Sequence, residues 1–116
     1  IDTSTAFEEG NDLRTQIPRF DKDALEHNLV LVDEVRAVAA ANGATPGQVA
    51  LAWLLTRMPR VVPIPGTTKP HRLAENISAA DLTLNEADAQ RLTAASDAVE
   101  IQGGRYPDFL EAQTNL

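Results

Sequence analysis

"VVPIPGTTKPHRLAEN", residues 61–76, is the stretch on which the reading of this chain turns. Val61, Val62 and Ile64 form a short apolar run bounded by prolines, which predicts one strand over about 61–64. Continuous apolarity, rather than alternation, suits a strand buried on both faces in a parallel sheet. Pro70 fits the first position of a helix that runs to about Ala80. A strand, a short glycine loop and a helix start together make a geometry that binds phosphate. The first-turn amides have no partner inside the helix, and the helix dipole is positive there. Gly66 lets a ligand approach the backbone closely. Thr67 and Thr68 add hydroxyl donors. Lys69 and Arg72 add charge beside His71, and Arg72 can make forked contacts to phosphate oxygens. Residues 66–74 contain those two cations and no acid.

The same residues also fit a purely structural role, in which the threonines cap the helix and the cations lie in water. The G-x-x-x-x-G-K phosphate loop is absent, and so is the dinucleotide pattern G-x-G-x-x-G.

Composition narrows the setting. The chain has 116 residues, enough for one small domain, and only 4% aromatics, so its core must be built from Leu, Val, Ile and Ala. Its net charge of −7 argues against general nucleic-acid binding and against attachment to anionic membranes. There is no cysteine, which excludes disulfides and thiolate metal sites and fits a reducing compartment. No apolar run approaches the roughly 18 residues that span a bilayer, and no signal peptide is visible, so the expected location is cytoplasmic. The chain starts at Ile1 rather than Met, as expected of a processed, truncated or excerpted sequence.

Outward from the opening stretch, residues 1–20 are polar and read as a loop. Residues 21–58 hold two helices. Asp21 caps the first, which runs from Lys22 to about Ala41 with Leu25, Leu29, Val32, Val35 and Ala39 as its apolar stripe. Asn42-Gly43 ends it. Thr45, Pro46 and Gln48 form a capping box for the second helix, whose VALAWLL run is apolar all round and is expected to be buried, with Pro59 closing the segment. Asn85 caps a further helix over 85–98, with Leu92, Ala89, Ala95 and Val99 facing inward. Residues 99–116 form a tail. One buried strand needs neighbours on both edges, and no other strand is predicted, so its partners are expected to lie outside this sequence.

The order "TPGQVALAWLL", "VVPIPGTTKPHRLAENISAADLTLNEAD" and "GGRYPDF" resembles the C-terminal part of the aldo-keto reductases, from about Ile1 to about Phe109. That resemblance implies a (β/α)8 TIM barrel as the α/β parent, with this chain mostly α-helical and 61–64 as the last barrel strand. Barrels of this type often hold phosphate in the loops after the last two strands. Residues 66–80 then become the cofactor phosphate loop and helix, and the implied cofactor is NADPH. Gly66, Thr67 and Thr68 would meet the adenosine 2′-phosphate, Lys69 and Arg72 would supply charge, Arg72 could also stack on the adenine, and Glu75 and Asn76 would sit near the adenine edge. The family often has lysine where Gly66 stands, and Lys69 is the expected replacement.

The resemblance also implies an Asp, Tyr, Lys and His catalytic set in the first half of the barrel, and no stretch here matches it. Tyr106 sits in the tail beside Arg105 and reads as tail packing. His27 and His71 lack a second ligand at metal spacing. Glu8-Glu9, Asp33-Glu34 and Glu86/Asp88 read as solvated or helix-start charges, and Trp53 reads as core. Two functions follow. The first is the cofactor-binding C-terminal part of a reductase that reduces aldehydes or ketones, inactive by itself and partnered by a missing N-terminal barrel half or by self-association. The second is a noncatalytic nucleotide-binding or assembly module. A piece of a barrel buries less apolar surface per residue than the whole, so the isolated chain is expected to be loosely packed, oligomeric or dependent on missing residues.

Overall fold

The computed structural model describes residues 1–57 and 60–114. The described chain contains α1 (Lys22–Ala41), α2 (Pro46–Arg57), α3 (Pro70–Ser78), α4 (Glu86–Ala98) and a short α5 (Asp108–Glu111). Single 3-10 turns cover Leu13–Gln16, Pro18–Phe20 and Ala79–Asp81. The chain divides into two compact units, one of residues 1–30 with 99–116 and the other of residues 31–98.

The second unit carries the main core. Val38 and Val49 are fully buried, and Ala39, Ala52, Leu84 and Leu92 close around them with Val35, Trp53 and Leu82 at the margin. α1 ends where expected and for the expected reason. Gly43 takes φ +60°, the Gly43 N–H reaches the Ala40 carbonyl, and the Ala44 N–H reaches the Ala39 carbonyl at 3.0 Å. The Asn42 amide donates to the Val38 carbonyl at 2.9 Å and to Asp88 at 2.8 Å, which ties the end of α1 to the start of α4. The capping box of α2 is complete: the Gln48 N–H donates to Thr45 Oγ1 at 3.2 Å, and the Thr45 N–H donates to Gln48 Oε1 at 2.8 Å. At α4 the Asp88 N–H donates to Asn85 Oδ1 at 2.8 Å. The Trp53 indole donates to Thr93 Oγ1 at 3.1 Å, which satisfies its polar edge.

Three expectations need correction. No strand forms over 61–64 among the described residues, and Val62 and Ile64 are 82% and 92% exposed rather than buried. A strand exists only through hydrogen bonds to a neighbouring strand, and no described segment supplies one. The stripe of α1 is centred on Ala24, Leu25, Val38 and Ala39, while Val32 faces solvent. α2 is not buried all round: Val49 and Ala52 are, but Ala50 and Leu55 are exposed. The expected stop at Pro59 lies outside the described residues.

The first unit is held by local contacts and by the tail. Phe7 meets Phe20 edge-on at 5.4 Å between ring centroids, and the Arg14 guanidinium lies 4.7 Å from the Phe7 centroid. The start of α1 receives the tail: the Asn28 amide donates to the Gln102 carbonyl at 2.8 Å, and the Gln102 N–H returns to Asn28 Oδ1 at 2.9 Å. His27 Nε2 lies 3.0 Å from the Glu100 carbonyl, and Arg19 Nε donates to the Gly103 carbonyl at 3.1 Å. Gly103 sits at φ +82°, and a Cβ there would come within 2.6 Å of the Pro18 backbone. Gly66 differs on both counts, with nothing within 4 Å of such a Cβ and no left-handed backbone. Gly103→Ala is therefore expected to lose at least about 2 kcal/mol from strained backbone and backbone clash. Gly66→Ala is expected to stay within about 0.5 kcal/mol. Urea denaturation followed by circular dichroism checks both.

Candidate functional site

Residues 63–67 pass beside α2 and α3 within the second unit and leave an open groove of about 620 Å³. Its walls come from the start of α2 (Thr45, Pro46, Gly47, Ala50, Leu51), from Pro65, Gly66 and Thr67, and from Arg72, Glu75 and Asn76 of α3. Five of the seven expected site residues are thus gathered on one groove: Gly66, Thr67, Arg72, Glu75 and Asn76. Thr68 and Lys69 are exposed at the mouth of α3 and do not line it.

The local folding of this mouth follows from its residues. Lys69 is the cap position of α3 in extended backbone (φ −104°, ψ 118°), and Pro70 follows at the first helical position, where its missing N–H costs nothing. The Lys69 side chain makes no cap hydrogen bond. Thr67 Oγ1 accepts the Lys69 N–H at 3.1 Å, so Thr67 acts as a turn residue before the helix and not as its cap, which the structural alternative expected of the threonines. The Lys69 carbonyl accepts from the Arg72 and Leu73 N–H groups, each at 3.0 Å.

The electrostatics differ from the sequence picture in one respect. Arg72 does not simply lie in water: its Nη1 donates to Glu75 Oε2 at 2.7 Å. Glu75 Oε1 accepts the Thr45 hydroxyl at 2.6 Å. The Thr45 hydroxyl foremost holds the Glu75 carboxyl below the ordinary glutamate range, against an upward push from burial, and the Arg72 guanidinium and the nearby His71 add smaller downward contributions. Gln48 Nε2 adds a second tie between α2 and α3, to Ser78 Oγ at 2.7 Å. Sequence reasoning took Thr45 only as a cap. Nothing in the spacing links it to Glu75, 30 positions later, and only the packing of α2 on α3 brings them together.

A second groove of about 550 Å³ lies next to the first and shares Leu51, Pro65 and Asn76 with it. Leu55, Ile64, Leu73 and Ile77 make it apolar. Among the described residues no group of His, Cys, Asp and Glu is placed to hold a metal ion, and no helix is long and apolar enough to cross a membrane.

The family model for the aldo/keto reductase family matches residues 3–97. The chain belongs to the aldo/keto reductase family. Membership in it implies a TIM-barrel parent, and the described part of that architecture here is helical. The chain is similar to "Aldo-keto reductase yakc" of Schizosaccharomyces pombe, which carries NADP(+) in its name, at 42% identity over 87% of this chain and 29% of that protein. It is 39% identical to "Probable aldo-keto reductase 1" of Glycine max, over 81% of this chain and 27% of that protein. It is 38% identical to "Aldo-keto reductase str7" of Strobilurus tenacellus, over 84% of this chain and 29% of that protein. The chain therefore spans less than a third of the length of these relatives. No solved structure matches it at a significant level.

Because Glu75 is depressed in the folded aldo/keto reductase chain, its contribution to stability is fully present above the ordinary glutamate value of 4.5. That contribution is lost as pH falls through the lower folded value, where the carboxylate is protonated in both states. Urea midpoints taken from pH 6 down to pH 3 are expected to fall more steeply for the wild-type chain than for Glu75→Gln. Parallel slopes would show that the Thr45–Glu75–Arg72 contacts do not form.

Proposed function

We propose that this chain is the cofactor-binding C-terminal part of an NADPH-dependent reductase of aldehydes and ketones, cytoplasmic in location. The observation that carries the reading is the groove itself, where Gly66, Thr67, Arg72, Glu75 and Asn76 converge at the start of α3. Its volume lies within the usual range of about 300–1,000 Å³ for small-molecule pockets. The residues present fit the adenosine 2′-phosphate end of the cofactor. Arg72 has five N–H donors and one is engaged by Glu75, so the guanidinium retains donors for a phosphate. Lys69 adds charge at the mouth, and the exposed hydroxyl of Thr68 adds a donor. Gly66 leaves the backbone open to close approach, since neither its conformation nor its neighbours demand glycine. Glu75 and Asn76 are acceptors and donors for the adenine edge.

When bound, the nicotinamide end supplies the hydride for carbonyl reduction. The proton for the carbonyl oxygen comes from a Tyr, Lys, His and Asp set outside this chain. The chain by itself is then inactive, and its role is to bind and orient the adenosine end. NADP(+) in the name of the fission-yeast relative supports the choice of cofactor. The exposed apolar residues bear on the partner. Val62, Ile64, Leu73 and Ile77 stand in solvent beside an apolar groove, which a monomeric soluble surface rarely presents as one patch. The remainder of the barrel covers this face, and self-association covers it where that remainder is missing. This exposure also favours the second reading, an assembly module that keeps the nucleotide seat without the reaction.

Fluorescence titration tests the phosphate seat that both readings share. The chain is expected to bind NADPH at least about tenfold more tightly than NADH, and Arg72→Ala is expected to remove that difference, equivalent to about 1.4 kcal/mol. Equal binding of the two, or none of either, would count against a preformed phosphate seat. In sedimentation, the wild-type chain is expected to self-associate, and Ile64→Asp with Ile77→Asp to shift it toward monomer.

A further inference from the structure

We infer that Thr45, outside the 66–76 stretch, is a positioning residue for the groove: its hydroxyl fixes Glu75, and Glu75 fixes the Arg72 guanidinium. The inference rests on the cofactor-phosphate reading above and adds a residue to it.

Hydrogen-bond accounting makes the case. A threonine hydroxyl has one proton and two lone pairs. The Gln48 N–H donates to Thr45 Oγ1 at 3.2 Å, which uses a lone pair. The proton is left for Glu75 Oε1, at 2.6 Å, a length typical of a hydroxyl donating to a carboxylate. The Thr45 backbone is locked as well, since its N–H donates to Gln48 Oε1 at 2.8 Å. Glu75 Oε2 is occupied by Arg72 Nη1 at 2.7 Å. Both carboxylate oxygens are therefore held by donors from different helices, and the cap of α2 is joined to the cation of α3. Thr45, Glu75 and Arg72 all line the same groove.

The consequence is a preorganised guanidinium. An arginine already held in place loses less rotamer freedom when a phosphate arrives. Without the Thr45 hydroxyl, the Glu75 carboxylate is free to turn both oxygens onto Arg72 or to swing its charge into the groove, and each movement opposes an anionic ligand. Capping alone predicts a different pattern, because it concerns the stability of α2 and not the state of Glu75.

The test uses the full chain, with adenosine 2′-monophosphate as the phosphate probe and adenosine as its phosphate-free control. Thr45→Ser keeps both the cap and the proton. Thr45→Asp keeps a cap acceptor but has no proton for Glu75. Thr45→Val lacks both. Loss of one such hydrogen bond corresponds to about fivefold in affinity. Thr45→Ser is expected to bind the probe like wild type. Thr45→Asp and Thr45→Val are expected to bind it about fivefold more weakly, with adenosine binding unchanged. In an Arg72→Ala background Thr45→Val is expected to have no further effect. Additive losses, or equal losses for adenosine, would overturn the inference. If the wild-type chain fails to bind the probe, the cofactor-phosphate reading falls. Thr45 is then decided without ligand, by carbon-13 NMR titration of the Glu75 carboxyl, which faces Arg72, His71 and Thr45. Titration below the ordinary glutamate range in wild type and Thr45→Ser, moved upward in Thr45→Val, supports the link. Identical titration in all three overturns it.

Discussion

The second unit depends on one buried face of α2. Val49 and Ala52 from that face meet Val38 and Ala39 of α1 and Leu92 of α4 in one buried cluster. The aromatic content is low, so close packing of small aliphatic groups carries the core, and a change of one methylene is felt there. The start of α2 is also the wall of the candidate site. A helix anchored at its middle and capped by a closed Thr45–Gln48 box presents its first turn as a rigid surface. α3 is then held against that turn by two side-chain ties, Thr45 to Glu75 and Gln48 to Ser78.

This arrangement gives the groove a mixed character. Its floor includes Ala50 and Leu51, and its rim carries Arg72, Glu75 and Asn76. The Glu75 carboxylate lies against the Arg72 cation, and donors occupy both of its oxygens. The ion pair is half-exposed on the Arg72 side, where water and salt screen it, so its value lies in geometry more than in energy. Beside the groove the molecule turns apolar, with Ile64 and Ile77 exposed.

Much of the local structure was legible in advance. Capping residues announce themselves because their side chains bond to amides two or three positions away, so Thr45–Gln48, Asn85–Asp88 and the Asn42-Gly43 stop are written into adjacent letters. The motif over residues 61–76 was equally local, and it resembled the family to which the chain belongs. The burial of Val38 was missed because the apolar residues of α1 run nearly all round it, and only the position of α2 and α4 selects a face. The docking of the tail on Asn28 and Pro18 was missed because it joins residues far apart in the chain, and α5 lies in a stretch that reads only as tail.

By itself the sequence determined α1, α2 and α4 and the caps at Thr45–Gln48 and Asn85–Asp88, because these rest on bonds between near neighbours in the chain. Tertiary structure decided the rest. It left Val61–Ile64 without a strand, since a strand is a property of two segments and not of one. It made the Thr45 cap a partner of Glu75 as well, and it set the exposed Arg72 guanidinium against that carboxylate. Contacts of that kind depend on where two helices meet, and no pattern within either helix records it.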